Sequence, residues 1–105
     1  MRFEVHAHTE YSNIRLLDCI NKVQALIDRA VELGLGGIAI TDHESLSAHV
    51  KAIKHRDEII KEHPDFKVAL GNEIYLVDER PTDNHYHCIL IAKDKIGYDQ
   101  LKRLS

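Results

Sequence analysis

The sequence predicts an α/β fold with a mostly parallel sheet. Segments of strand character alternate with segments of helical periodicity, in the order strand, helix, strand, helix, strand, strand, helix. The second predicted strand is a short, continuous apolar run, which is typical of a strand buried in a parallel sheet. The chain has 105 residues, of which 44% are hydrophobic, so we expect one small domain with a packed core.

The first three elements are predicted as a strand, a helix and a strand. Residues 2–6 alternate in polarity and predict the first strand. Residues 19–33 predict a helix, and Gly34 follows as its C-terminal stop. Residues 38–41 predict a buried parallel strand. The apolar stripe of the helix contains Ile20, Val23, Ile27, Ala30 and Val31.

The remaining elements complete the predicted sheet. A second helix is expected over roughly residues 46–63, with Ser45 as its N-cap and Pro64 at its end. Its expected apolar face contains Leu46, Val50, Ile53 and Ile60. The last elements are a third strand at 67–70 that could continue to Val77, a loop at 78–84, a fourth strand at 86–92 and a helix at 97–104.

The composition restricts the class of function. A formal net charge of −3 argues against a free-standing nucleic-acid binder, which normally has a basic excess. Cys19 and Cys88 are too few for a disulfide scaffold, and we interpret them as reduced thiols of a cytoplasmic protein. No apolar stretch approaches the roughly 20 residues that cross a bilayer, so no membrane association is expected.

The chain contains eight histidines, and neutral imidazole is the commonest metal ligand. His6 and His8 end the first strand, where residues two apart point to the same side. His43 follows the second strand and Glu73 the third. Because the carboxyl ends of parallel strands meet at one edge, these side chains are expected to converge. Taken singly, each could instead be an ordinary surface residue.

Several other polar residues have two interpretations. His85 and His87 both lie near the start of the fourth strand, and the residues alone do not choose between them. Asp18 is interpreted as a helix cap, and Asp42 as a cap or as a group that orients a ligand. We assign the histidines of the second helix to its surface or its packing; these are His49, His55 and His63.

The mixture of imidazole and carboxylate groups indicates the metal class. Such a set suits Zn, Mn or Fe better than Ca or Mg alone. More than four candidate ligands imply more than one metal ion. Clustered divalent metals are typical of phosphate ester hydrolysis, because they make hydroxide near neutral pH and hold the phosphoryl oxygens.

These residues, in this order, resemble the PHP (polymerase and histidinol phosphatase) superfamily. The stretches that carry the resemblance are 6–12 (HAHTEYS), 38–43 (IAITDH), 71–75 (GNEIY), 87–93 (HCILIAK) and 97–105. The last two resemble the PHP domains at the start of bacterial DNA polymerase III alpha subunits more than the free phosphatases. The resemblance covers nearly the whole chain.

The resemblance implies a distorted (β/α)₇ barrel with a trinuclear metal site at the carboxyl ends of the strands. By matching position, it implies a ligand set of His6, His8, Asp18, His43, Glu73 and His87. It thus favours ligation over capping for Asp18 and selects His87 over His85. For Asp18 the match is interrupted, because residues 13–15 look like an insertion.

The family domain is roughly twice as long as this chain. Residues 1–105 are therefore expected to be the N-terminal portion of a PHP domain, holding half a barrel, with the remainder of a polymerase alpha subunit as partner. We expect the half-barrel to self-associate or to need its missing half. Three functions follow from the resemblance: a phosphoesterase acting as a 3′–5′ proofreading exonuclease on DNA, an inactive module that supports the polymerase or binds a proofreading subunit, and a stand-alone phosphatase of the histidinol phosphate type.

Overall fold

A computed structural model describes residues 2–12, 21–76 and 86–104, and these residues form an α/β half-barrel. Its elements occur in the predicted order. They are β1 (Phe3–Ala7), a short 3-10 helix (Glu10–Ser12), α1 (Val23–Glu32), β2 (Gly37–Ile40), α2 (His49–Ile59), β3 (Lys67–Leu76), β4 (Tyr86–Ile91) and α3 (Lys95–Leu104).

The four strands form one sheet in the order β1-β2-β3-β4. β2 pairs in parallel with β1 and with β3, whereas β3 and β4 are antiparallel. The predicted α/β fold with a mostly parallel sheet is therefore confirmed. β1 and β4 are the edge strands, and the carboxyl ends of β1 and β2 point to the same edge as the middle of β3.

The core lies between the sheet and helices α1 and α2. Val23, Ile27 and Ala30 of α1 are buried, as their spacing predicts, and they pack against Ile38 and Ile40 of β2. Ile27 is fully buried, which stabilises the fold by about 1.5–3 kcal/mol relative to an exposed side chain. Gly34 has a φ of 77° and ends α1 in the left-handed conformation that glycine adopts most readily.

Two helices begin later than the sequence predicts. α1 starts at Val23, because the preceding Lys22 has an extended backbone. α2 starts at His49 after Ala48, so the prediction that Ser45 caps it is wrong. The Ser45 hydroxyl instead accepts a hydrogen bond from the Ser47 N–H, within the turn that leads into the helix.

The predicted apolar face of α2 is wrong in part: Leu46 and Ile53 are half-buried, but the other two residues are exposed. Val50 is 61% exposed and Ile60 is 39% exposed, whereas the buried side of the helix carries His49, Ala52 and His55. Small alanines allow α2 to approach the core closely, and the histidines supply the volume that a stripe of large apolar residues would give. Among the described residues, no helix is long and apolar enough to cross a membrane.

Candidate metal centre

The carboxylate of Glu73 is the centre of a cluster of imidazoles. Glu73 lies in β3 beyond the end of β2 and is only 1% exposed. Its N–H donates to the carbonyl of Asp42 (2.9 Å), and its own carbonyl accepts from the Glu44 N–H (2.9 Å). The backbone is therefore held on both sides, which fixes the direction of this side chain.

His6 and His8 reach Glu73 from the end of β1. Between Glu4 and Ala7 the register of β1 shifts against β2, so that two residues lie opposite Ala39. The bulge lies directly before Ala7, and His6 and His8 flank Ala7 on the same side of the strand. His6 Nε2 lies 2.7 Å from Glu73 Oε1 and 3.0 Å from His8 Nε2.

His43 and His87 approach the same carboxylate from two other strands. His43 forms an isolated bridge with Glu73, and its Nδ1 contacts Glu73 Oε2. His87 lies across from Tyr75 in β4, with Nδ1 3.8 Å from Glu73 Oε1. The His87 side chain is 59% exposed, so it forms the open side of the cluster.

A buried hydrogen-bond network contacts His8 at Nδ1, the ring nitrogen that does not face Glu73. The Ser12 hydroxyl donates to Asp42 Oδ1 (2.7 Å), and the Thr9 N–H and hydroxyl donate to the same carboxylate. Because Ser12 has one proton and gives it to Asp42, its oxygen accepts from His8 Nδ1 (3.1 Å) and from the His43 N–H (3.1 Å). A neutral His8 therefore carries its proton on Nδ1 and presents the Nε2 lone pair to the cluster.

Burial lowers the pKa of His8, and the nearby His43 and His6 lower it further against the opposing charges of Glu73 and Asp42. The lowered pKa favours the neutral imidazole at neutral pH, which is the form that binds metals. Hydrogen bonding and burial thus act on His8 in the same direction.

The cluster fits a divalent metal. One ligand atom each of His6, His8 and Glu73 lies within 4.8 Å of the others. His43 Nδ1 and Glu73 Oε2 face each other in the buried part, and neither has a hydrogen-bond partner among the described residues. Tetrahedral zinc with N and O ligands at about 2.0–2.2 Å separates its ligand atoms by roughly 3.3 Å, close to the spacing seen here.

Of the residues that the sequence singled out, the structure brings together five candidate ligands and the supporting Asp42. The five are His6, His8, His43, Glu73 and His87. Asp18 and His85 lie outside the described residues. His49, His55 and His63 lie apart from the cluster: His49 and His55 are buried in packing, and His63 is exposed.

The sequence interpretation assigned no role to three residues that contact this cluster. Thr9 and Ser12 hold Asp42, and Tyr75 places its ring 5.0 Å from that of His87 and 6.4 Å from that of His43. For Tyr75 a signal existed, because it lies two residues after Glu73 in a strand and so shares its face. Thr9 and Ser12 follow a strand end, where only the contact with Asp42 reveals their function.

Comparisons with known proteins agree with this geometry. The sequence pattern of the PHP domain family matches residues 4–105. A DNA-directed DNA polymerase of Bacillus phage SPbeta is 46% identical over 112 residues, which cover 95% of this chain and 9% of that protein. The DNA polymerase III subunit alpha of Helicobacter pylori is 35% identical over 106 residues, 96% of this chain and 8% of that protein.

A solved structure shares the fold. It is a protein from Bifidobacterium adolescentis assigned as a metal-dependent phosphoesterase, with a TM-score of 0.70 and 25% identity over 98% of this chain and 32% of that one. This chain spans less than a tenth of the length of the two polymerases described above. The strand order, the cluster around Glu73 and the match over residues 4–105 together show that this chain belongs to the PHP domain family.

Proposed function

We propose that residues 1–105 are the N-terminal portion of the PHP domain of a bacterial-type DNA polymerase III alpha subunit, and that this domain is a metal-dependent phosphoesterase. The observation that carries the proposal is the buried Glu73 carboxylate with imidazoles from three strands around it. A carboxylate is costly to bury unless a positive charge lies beside it, and a divalent metal would supply that charge.

The proposed ligands are His6, His8, Asp18, His43, Glu73 and His87. Four of them lie around the fifth, Glu73, and Asp18 is included through its match to the family. Imidazole-rich ligand sets favour Zn, Mn or Fe, and six ligands are enough for more than one ion. Bound metals of this kind make hydroxide from water near neutral pH and neutralise phosphoryl oxygens.

The residues of this chain have separate tasks in the proposed reaction. Glu73, whose side chain is 2% exposed, forms the floor together with the buried Nδ1 of His43. Ser12 fixes the proton of His8 on Nδ1, so that Nε2 stays available. His87 lies on the open side, where a phosphodiester would enter, and Tyr75 packs against it.

The proposed substrate is a phosphodiester at the 3′ end of DNA, as in a proofreading exonuclease. The support is the set of relatives, which are DNA polymerases. The net charge of −3 means that the chain by itself attracts DNA poorly, so DNA would reach the site through the rest of the polymerase. A proofreading subunit is a further proposed partner.

Metal content tests the proposal first. Tag-free protein is purified without chelator, and its metals are counted by inductively coupled plasma mass spectrometry. We expect stoichiometric Zn, Mn or Fe, and its loss in a His6→Ala/His8→Ala double variant. His63→Ala is the matched control, because His63 is exposed and lies apart from the cluster, and it should keep the metal.

Nuclease assays then use the full-length polymerase with and without the double substitution. Loss of 3′–5′ degradation with polymerisation intact supports the exonuclease. Metal binding without any nuclease activity would favour the structural module, and hydrolysis of small phosphate monoesters by the wild type would favour the histidinol phosphate type of phosphatase. Absence of metal from the full-length protein would refute the proposal.

A further inference from the structure

The parallel ladder between β2 and β3 is interrupted just before the metal centre. Ile40 pairs with Leu70, and the next β2–β3 pairing is the bridge between His43 and Glu73. Between them β3 changes partner, because Gly71 pairs with Ile91 of β4. The position of Glu73 therefore depends on how this break in the ladder is held.

The side chain of His49 lies beside this break in the ladder, at Gly71. Its Nε2 lies 2.9 Å from the carbonyl oxygen of Gly71, and the residue is 1% exposed. A carbonyl only accepts hydrogen bonds, so Nε2 carries the proton and donates it. Without this donor the Gly71 carbonyl would be buried with no hydrogen bond from His49, which destabilises the backbone at this point.

The backbone at Gly71 has no room to move away. A Cβ added there would meet the Leu90 carbonyl oxygen at 2.5 Å and the Thr41 methyl carbon at 2.9 Å. Gly71 is thus packed between two neighbouring strands, and His49 contacts it from the helix layer. The ring of Tyr98 in α3 lies 5.5 Å from that of His49 and packs on it.

We propose that His49 is a positioning residue for the metal centre: its Nε2–H holds the Gly71 carbonyl and so fixes the ladder break that directs Glu73 into the cluster. The inference rests on the proposed function in one respect, since it treats Glu73 as a ligand. It adds a residue that contacts no candidate ligand and acts only through the backbone of β3.

The protonation of His49 agrees with this function. Burial lowers its pKa, opposed by the backbone of Gly71 and of Ile40 and by the charge of Asp42, so the imidazole is neutral at neutral pH and has a single N–H. That N–H is directed at Gly71. His49 Nδ1 has no hydrogen-bond partner among the described residues, as expected of the unprotonated nitrogen.

Substitutions can separate positioning from general stability. His49→Gln keeps an N–H donor at about the length of Nε2, whereas His49→Met has similar volume and no donor. His49→Asn, which is too short to reach Gly71, replaces the methionine variant if that protein does not fold. His55→Met is the matched control, because His55 is also buried in α2 but contacts Asp28 of α1 (2.6 Å) instead of β3.

Two measurements are made on each variant. The first is hydrogen exchange by NMR of the Glu73 and Glu44 amides in metal-free protein, since these amides form the ladder beyond the break. The second is zinc affinity by competition with a chromophoric chelator. We expect His49→Met to speed exchange of both amides beyond any global change and to weaken zinc binding by about tenfold to a hundredfold. His49→Gln should behave as the wild type does.

The inference is overturned if His49→Met leaves exchange and zinc affinity unchanged, or if His55→Met changes both to the same extent. A wild type that binds no zinc would count against the proposed function alone. In that case the exchange of the two amides, which needs no metal, still decides whether His49 holds the ladder.

Discussion

The Ser12 hydroxyl lies 2.7 Å from Asp42 Oδ1, and this hydrogen bond determines how Ser12 contacts His8. Because the only proton of Ser12 is donated to a fully buried carboxylate, its oxygen is left as an acceptor for His8 Nδ1. A residue after β1 and a residue after β2 thus act as one unit. Together they orient the candidate ligand His8, and neither of them is itself a candidate ligand.

Ser12→Ala should weaken metal binding while leaving every candidate ligand in place. The variant removes the acceptor for His8 Nδ1, so the imidazole can rotate or change tautomer. We expect a loss of zinc affinity of about tenfold to a hundredfold, measured by chelator competition. Ser45→Ala is the matched control, since both serines are 4% exposed and Ser45 lies in the turn before α2. Equal affinities of the two variants would contradict the function of Ser12.

Glu73→Gln should abolish the stabilisation of the fold by metal. The carboxylate is buried among imidazoles, and the neutral amide cannot offset the charge of a divalent ion. Zinc at about a hundred times its Kd should raise the free energy of unfolding of the wild type by about 2.7 kcal/mol, and that of the variant hardly at all. Thermal unfolding with zinc and with chelator measures the difference.

The control for this experiment is Glu32→Gln. Glu32 lies at the end of α1, where its exposed side chain pairs with Arg29. This variant should keep the full response to zinc. A metal response in Glu73→Gln as large as that of the control would show that zinc binds elsewhere.

The free energy of unfolding should fall as the pH drops below about 6.5, partly because of His49. Burial lowers the pKa of this imidazole from 6.5 in the folded protein, so in that range the unfolded chain binds more protons. One such group contributes a slope of at most about 1.4 kcal/mol per pH unit, and the contribution is complete above pH 6.5. Asp42, whose charge opposes the shift, and Tyr98 are the groups that face it.

Urea unfolding between pH 5 and 8, with chelator present, tests this dependence. His49→Gln should flatten the slope without removing it, because the pKa of His8 is lowered as well and acts with the same sign. His63→Gln is the control, since His63 is exposed. A slope in His49→Gln identical to that of the wild type would contradict a buried, neutral His49.

The order of the elements and the convergence of the strand ends could be predicted from the sequence, because both follow from local patterns. Alternation and helical period identify β1 and α1, and parallel pairing then places His6, His43 and Glu73 at one edge. The buried face of α2 could not be predicted, since it carries Ala52 and His55, whereas the large apolar residues led us to expect a face that includes Val50.

The hydrogen bonds that support the cluster could not be predicted from the sequence for a different reason. The bond from Ser12 to Asp42 joins residues 30 positions apart, and that from His49 to Gly71 joins residues 22 positions apart. Both depend on how separate elements pack against each other, which no local pattern specifies. The sequence also does not distinguish the two buried histidines of α2. His55 contacts Asp28 of the neighbouring helix, whereas His49 contacts the backbone of β3.

The chain as it stands should self-associate through the edges of its sheet. Within residues 2–12, 21–76 and 86–104, no strand pairs with the outer side of β1 or β4. Both strands carry exposed apolar residues; these are Phe3, Val5, Tyr86 and Ile91. An edge strand of this kind can pair with another copy, and a lysine on the edge opposes such pairing. Val5→Lys should therefore shift the protein towards monomer, as measured by sedimentation velocity over a concentration series.

Val50→Lys is the matched control for the edge. Val50 is 61% exposed and Val5 is 54% exposed, but Val50 lies on the outer face of α2, away from both edges. Equal effects of the two lysines would mean that general apolar exposure drives association, and a wild type that remains monomeric at all concentrations would contradict association altogether. A monomer from Val5→Lys alone would identify β1 as the contact between copies.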